Sequence, residues 1–141
     1  MASFVFTQAK LDILNGTIDL SSDDFYAVLV GGSTGYTPSE AITQRSSLVL
    51  TAGTNSEPKD LINRQLDLNG STVELTFTNP IWNALSATNN PITGIVICKK
   101  AGGTFAATDP VVAFLEFSAE YTSTGATFQV TATNNVYLSV T

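Results

Sequence analysis

The 141-residue sequence contains no histidine and only one cysteine. The absence of histidine excludes Ser-His-Asp and Cys-His catalysis, and it excludes every histidine-ligated metal site. A single cysteine excludes an intramolecular disulfide, a cysteine-rich zinc site and a CxxC redox pair. The glycine-rich stretch Gly31–Gly35 matches neither phosphate-binding pattern, GxxxxGK[ST] or GxGxxG. We therefore expect a protein that is not an enzyme and that holds no cofactor and no metal.

Basic residues are also scarce, with six Lys and Arg against twelve Asp and Glu, for a net charge of −6. Nucleic-acid phosphates require clustered Lys and Arg, so we expect no nucleic-acid partner. No apolar run approaches the roughly 18–20 residues that span a bilayer, so we expect no membrane partner. The first seven residues lack a basic segment and a long apolar core, which predicts synthesis without a signal peptide.

The sequence is instead rich in threonine and serine, with 20 and 13 copies, and hydrophobic residues make up 43% of it. Threonine and β-branched residues favour strands over helices. The length is typical of one domain. We expect a single domain over residues 1–141, with residues 1–8 as a candidate N-terminal arm.

One short helix is predicted near the start. Phe6, Ala9, Ile13 and Leu14 recur at the spacing of one helical face, and Thr7 is placed to cap the N-terminus. The rest of the chain consists of short apolar or alternating runs separated by turn residues.

About eight strands are predicted, at a spacing of roughly 8–15 residues. The apolar run Phe25–Val30 is typical of a central strand, and residues 46–51 are predicted as another strand. This pattern predicts an all-β fold, a two-sheet antiparallel sandwich of jelly-roll type with one short N-terminal helix.

The strongest local signal is a hairpin around Asn69-Gly70, a pair typical of a two-residue type I′ turn. A turn at this pair would place Leu68 opposite Ser71. The apolar residues that would then share one face are Leu66, Leu68, Val73, Leu75 and Phe77.

Several residues could carry chemistry, and each also has a structural interpretation. Cys98 lies in an apolar run and is predicted to pack in the core. Asp19, Asp23 and Asp24 lack the spacing of a calcium loop and favour an Asx-type turn.

Three glutamates are the remaining chemical candidates. Glu74, Glu116 and Glu120 could supply a glycosidase pair only if two of them faced one cleft. If Glu116 is buried, it requires a partner such as Lys99 or Arg64.

The candidate interface residues are Phe4, Val5 and Phe6. A terminal apolar triplet packs either on the protein's own core or on a neighbouring subunit, because chain termini are loose unless they are tied down. The sequence leaves both alternatives open.

Most of the chain, in order, resembles a family of small virion proteins of tailed phages and prophages, and in particular the capsid cement (decoration) proteins of short-tailed bacteriophages. The segments that carry this resemblance are residues 4–7, 14–24, 27–30, 94–102, 110–116 and 128–132. They include "LNGTID", "AVLV", "GIVICKKAG", "PVVAFLE" and "FQVTA".

The resemblance implies a jelly-roll virion protein that is made in the host bacterial cytoplasm and resides on the outer surface of the capsid. It implies a homo-oligomer, with a dimer favoured, whose partner is the major capsid protein. Such a subunit bridges capsid subunits and stabilises the shell against the pressure of packaged DNA.

Two alternatives remain beside this interpretation. One is a tail or head-fibre component of the virion. The other is a β-sandwich glycan-binding module, whose candidate stacking residues are Trp82, Tyr26, Tyr36, Tyr121 and Tyr137.

Overall fold

A computed structural model describes residues 3–87, 90–132 and 136–140. Within these residues the protein is mostly β, with one short α-helix, α1 (Thr7–Leu14), and one turn of 3₁₀ helix (Arg45–Ser47). The ten strands are β1 (Phe4–Val5), β2 (Phe25–Gly31), β3 (Lys59–Asp60), β4 (Gln65–Asn69), β5 (Thr72–Thr76), β6 (Ile81–Ser86), β7 (Ile92–Lys99), β8 (Val111–Tyr121), β9 (Thr124–Gln129) and β10 (Val136–Val140).

The strands form three antiparallel sheets. The five-stranded sheet has the order β1-β8-β7-β2-β3, the three-stranded sheet the order β10-β5-β4, and β6 pairs with β9. The predicted all-β class, its antiparallel pairing and its single short α-helix are therefore confirmed. The predicted central strand is also confirmed, because β2 lies between β7 and β3 and all seven of its residues are buried.

The three sheets contribute side chains to one apolar core. The Phe25 ring of β2 lies 6.3 Å from the Phe77 ring, which follows β5, and Trp82 of β6 is fully buried. Gly94 in β7 allows a close approach to the neighbouring strand β8. A Cβ atom there would lie 2.3 Å from the carbonyl oxygen of Leu115, so no larger residue fits without moving the backbone.

The helix α1 has the predicted position but a different N-cap. Phe6, not Thr7, is the cap residue, and it makes no side-chain capping bond. The first amides of the helix bind other parts of the chain instead, since Phe6 N donates to Val112 O at 3.0 Å and Thr7 N to Glu40 O at 3.1 Å. The predicted apolar face is only partly buried, because Leu14 is 87% exposed.

The strand predicted over residues 46–51 is wrong. The start of this segment forms a 3₁₀ turn instead. Arg45 N donates a backbone hydrogen bond to Asp109 O, and Leu48 N donates one to Arg45 O. Only an isolated bridge between Leu50 and Val30 keeps a strand-like contact there.

The predicted hairpin is present as β4 and β5, but its turn lies one residue further along the chain. Asn69 pairs with Thr72 and Leu68 pairs with Val73, so the two turn residues are Gly70 and Ser71. Gly70 has φ +63°, and a positive φ at the first turn position alone fits a type II′ turn rather than type I′. The register moves by two residues, which leaves each side chain on its predicted face.

Candidate interaction surfaces

The N-terminal apolar triplet packs on the chain's own core. Phe4 and Val5 form β1, pair with Phe114 and Ala113 of β8, and are half-buried. Phe6 is fully buried, with its ring 5.1 Å from the ring of Phe4. Residues 1 and 2 of the predicted arm lie outside the described residues. A role for the triplet in an interface with another subunit stays a prediction.

Phe4 and Val5 also line an open groove of about 580 Å³ between two sheet edges. One wall is formed by β1 and β8 of the five-stranded sheet, and the other includes β10 of the three-stranded sheet. Leu115, Phe117 and Val130 contribute apolar side chains to the lining. Of the three predicted interface residues, Phe4 and Val5 line this groove, and the fully buried Phe6 does not.

A second surface lies at the end of the β4–β5 hairpin and is called the hairpin tip here. One face of the hairpin tip consists of Leu66, Leu68 and Val73, which are 41%, 75% and 45% exposed. Leu75 continues the same face but is buried at 3% exposure. The sequence predicted that these side chains share a face, and the structure shows that the core covers only one end of that face.

The opposite face of the hairpin tip is acidic. Asp67 of β4 lies directly opposite Glu74 of β5, and like charges in directly opposed positions repel each other. No described basic side chain forms an ion pair with either carboxylate, although Asn69 Nδ2 donates to Glu74 Oε1 at 3.3 Å. The hairpin tip is thus apolar on one face and negatively charged on the other.

Most of the scarce basic residues are bound to other parts of the chain. Three of them form ion pairs, namely Lys59 with Glu57 at 2.7 Å, Lys99 with Asp23 at 2.9 Å and Lys100 with Asp60 at 2.6 Å. The Arg64 guanidinium donates to the carbonyl oxygen of Asp23. Because the bases are engaged locally, the excess of acidic residues determines the sign of the charge that the protein presents to a partner.

Cys98 is fully buried in β7, as predicted. Burial raises the pKa of its thiol to about 12, since an apolar environment disfavours the thiolate. A thiol in this state is protonated at neutral pH and packs as a small apolar side chain.

A buried polar cluster next to Cys98 was not predicted. The Asp109 carboxylate is 1% exposed and accepts hydrogen bonds from Tyr26 Oη at 2.6 Å, Ala106 N at 2.9 Å and Ala101 N at 3.3 Å. Burial, followed by the bond to Asp109, raises the pKa of Tyr26 well above its usual value. The cluster fixes residues 100–110 against β2. A contact between residues this far apart in the chain leaves no local pattern in the sequence.

The predicted Asx-type turn is confirmed at Asp19. Its carboxylate accepts hydrogen bonds from Ser21 N at 2.9 Å and from Ser22 Oγ at 2.8 Å, and it also binds Ser21 Oγ. These bonds hold the pKa of Asp19 at about 2. The neighbouring Asp23 carboxylate binds Lys99. In the described part of the chain no group of three or more His, Cys, Asp or Glu residues is placed to hold a metal ion.

The three candidate glutamates are divided between two places. Glu116 and Glu120 line one small pocket of about 240 Å³ together with Tyr36, and Glu120 accepts a hydrogen bond from Gly35 N. Glu74 lies on the hairpin in another sheet. The expected partners of Glu116, Lys99 and Arg64, both contact Asp23.

The aromatic residues considered for glycan stacking are mostly inside the protein. Trp82 is fully buried and its Nε1 donates to Glu57 O at 2.7 Å, while Tyr26 and Tyr137 are 0% and 3% exposed. Tyr121 is 44% exposed and Tyr36 is half-buried. Only these last two retain ring surface that a sugar could reach.

No protein-family model, curated protein or solved structure matches the chain. Among the helices that the structure describes, none has the length and apolar character needed to cross a membrane. Function is therefore inferred from the fold and from the two surfaces described above, the groove and the hairpin tip.

Proposed function

We propose that the chain is a viral structural protein, a capsid cement (decoration) subunit. In this proposal it is made in the host bacterial cytoplasm and binds major capsid protein subunits on the outer surface of the shell. It bridges neighbouring capsid subunits and so stabilises the capsid against the pressure of packaged DNA. A homo-oligomer, with a dimer favoured, is part of the same proposal.

The observation that supports adhesion most directly is the apolar face of the hairpin tip. Leu66, Leu68 and Val73 stand exposed on a paired ribbon whose other end is anchored in the core through Leu75. Burying a fully exposed side chain of this size contributes about 1.5–3 kcal/mol, and covering these partly exposed side chains contributes a corresponding fraction of it. A contiguous exposed apolar patch on a folded domain is typical of a protein interaction site.

Bridging requires two separate contact surfaces, and the chain offers two. In the three-stranded sheet, β10 lines the groove at one edge and β4 carries the hairpin tip at the other. Phe4 and Val5, the predicted interface residues, lie on the groove side. One subunit could therefore contact two neighbours without either contact hiding the other.

The surface chemistry favours assembly over binding of free ions or polyanions. Threonine and serine hydroxyls donate and accept hydrogen bonds while losing little side-chain entropy on ordering. Lys and Glu are depleted in interfaces, and only 13% of this sequence is charged. Many such contacts repeated over a shell give a large total stabilisation through multivalency.

A jelly-roll arrangement is the finer part of the fold proposal. We propose that the five-stranded sheet forms one layer and that the three- and two-stranded sheets together form the other. The shared core supports this arrangement, as does the passage of the chain from β8 in the first layer to β9 in the second. An experimental structure in which those smaller sheets do not face the five-stranded sheet would contradict it.

The direct test uses virions purified from a lysate of the bacterium that carries the gene. The chain is stripped from the particles with mild denaturant, and their resistance to heat and osmotic shock is compared with that of untreated particles. The proposal predicts a loss of resistance that added purified chain restores. Stripped particles with unchanged resistance would overturn the bridging role.

Matched variants make the add-back experiment specific. Leu68→Ser removes the most exposed apolar side chain of the hairpin tip, at 75% exposure, whereas Leu14→Ser removes a leucine of α1 that is 87% exposed. We expect Leu14→Ser to restore resistance and Leu68→Ser to fail. Equal restoration by both variants would show that the hairpin tip is not the adhesive surface.

A further inference from the structure

The strand β4 has a free edge. It pairs with β5 on one side, no described strand pairs with it on the other, and all five of its residues are exposed. Natural edge strands are usually protected against pairing by charged side chains, above all lysine, by proline or by a bulge. The sequence of β4, Gln-Leu-Asp-Leu-Asn, contains neither lysine nor proline, and its pairing with β5 has no bulge.

The hairpin register shows which backbone groups point outward. A two-residue turn closes with a hydrogen bond between Asn69 and Thr72, and hydrogen-bonded pairs then alternate along an antiparallel ladder. Asp67 therefore bonds to β5, while the N–H and C=O groups of Leu66 and Leu68 face away from it. The same two leucines carry the exposed apolar side chains.

The charge of the hairpin tip determines what can occupy this edge. A strand added beside β4 places a side chain directly next to Asp67, close to Glu74. In a symmetric antiparallel pairing centred on β4, a second copy would put its own Asp67 in that position and add repulsion. A lysine or arginine in that position would instead be attracted by both carboxylates.

We propose that the free edge of β4 is a docking site for an extended segment of another protein that adds to the sheet as an antiparallel strand. The incoming segment alternates apolar residues, which cover Leu66 and Leu68, with basic residues, which face Asp67 and Glu74. Backbone bonds to the two leucines provide affinity, and the charge on the opposite face provides specificity. This proposal depends on the hairpin alone and holds whether or not the partner is a capsid protein.

The probe is a capped synthetic peptide of about seven residues in which valine and lysine alternate, a length typical of one strand. The control peptide has glutamate in place of every lysine. For the full chain, titration calorimetry should show saturable binding of the lysine peptide and about tenfold weaker binding of the glutamate peptide. Binding of the lysine peptide should weaken as salt is added, and the Leu66 and Leu68 amides should become protected from hydrogen exchange.

Two variants of Leu68 separate strand addition from simple apolar contact. Leu68→Ala keeps the outward N–H, whereas Leu68→Pro removes it at an edge position where proline breaks no bond to β5. We expect Leu68→Pro to bind the lysine peptide about fivefold more weakly than Leu68→Ala. Asp67→Lys should reverse the preference between the two peptides, and it tests the proposal independently if the proline variant does not fold.

Three results would overturn the proposal. They are no binding of the lysine peptide at millimolar concentration, equal binding by Leu68→Ala and Leu68→Pro, or an unchanged peptide preference in Asp67→Lys. Sedimentation of the free chain tests a further alternative. If the free chain is a dimer and Leu68→Pro converts it to a monomer, the edge of β4 binds a second copy of this chain, and the proposal is also overturned.

Discussion

The Tyr26 hydroxyl donates a 2.6 Å hydrogen bond to the Asp109 carboxylate, although 83 residues separate the two in the chain. The same carboxylate accepts hydrogen bonds from the amides of Ala101 and Ala106, so it joins the centre of the five-stranded sheet to the connection over residues 101–109. Phe105 from this segment lies with its ring 4.8 Å from that of Tyr26. The buried Asp109 carboxylate thus holds this long connection in place without a disulfide.

The first prediction concerns this contact. Tyr26→Phe removes the hydroxyl that donates a buried hydrogen bond to the Asp109 carboxylate. We expect this variant to lower the free energy of unfolding by about 1.5–3 kcal/mol. Asp109→Ala leaves the hydroxyl and two amides without their acceptor and should destabilise the protein more. Urea unfolding of both variants and of the double variant measures the coupling between the two residues. Additive effects would show that the bond contributes nothing on its own.

The second prediction compares two leucines on one face of the hairpin. Leu75→Ala opens a cavity in the core and should cost about 2–5 kcal/mol. Leu68→Ala removes a side chain that is 75% exposed and should change the free energy of unfolding by less than about 0.5 kcal/mol. The urea midpoints of the two variants, compared with that of the unmodified protein at an unchanged m-value, test both expectations. A large loss in Leu68→Ala would mean that the hairpin tip is covered in the free protein.

The third prediction concerns pH. The pKa of Asp19 lies at about 2, below its ordinary value of 3.8, because Ser21 and Ser22 donate hydrogen bonds to the charged carboxylate. A lowered pKa means that these bonds stabilise the fold fully above the unfolded-state pKa, and that the stabilisation disappears as the pH falls toward 2. Carboxyl NMR titration should place the midpoint near 2 in the native protein.

The control for that titration removes the donors. In the double variant Ser21→Ala/Ser22→Ala, the pKa of Asp19 should rise toward its ordinary value, while that of a distant carboxylate stays unchanged. A midpoint that does not move would show that hydrogen bonds from the two serines are not the cause.

The fourth prediction concerns Cys98. Its thiol is fully buried and its pKa is raised to about 12, so a thiol reagent at pH 8 should react at the rate at which the structure opens. Adding urea should accelerate the reaction in parallel with unfolding. Immediate reaction of the native protein at pH 8 would contradict the burial of this side chain.

Local patterns predicted those parts of the fold that local chemistry controls. Alternation placed the hairpin side chains on the correct faces, and the apolar run Phe25–Val30 correctly marked the central strand. The segment 46–51 contains a shorter apolar run, Leu48 to Leu50, and bonds from Arg45 and Ser46 to residues 107–109 accompany a 3₁₀ turn at its start. Such distant backbone partners are not encoded in the segment itself.

The candidate surfaces were only partly predictable for the same reason. The sequence indicated that Leu66, Leu68 and Val73 share a face, and a shared apolar face is normally buried. Which end of the face remains uncovered depends on how far the neighbouring sheets extend, and this is a tertiary property. The buried role of Asp109 depends likewise on contacts that the chain makes only after folding.

The proposed function requires the protein to adhere to the subunits of a viral shell. Quantitative mass spectrometry of purified virions measures it most directly, through the molar ratio of this chain to the most abundant particle protein. For a capsid cement subunit we expect a ratio near one, with every copy released by mild denaturant while the shell remains assembled. A few copies per particle would place the chain in a tail or head fibre, and its absence from purified particles would contradict the proposed function.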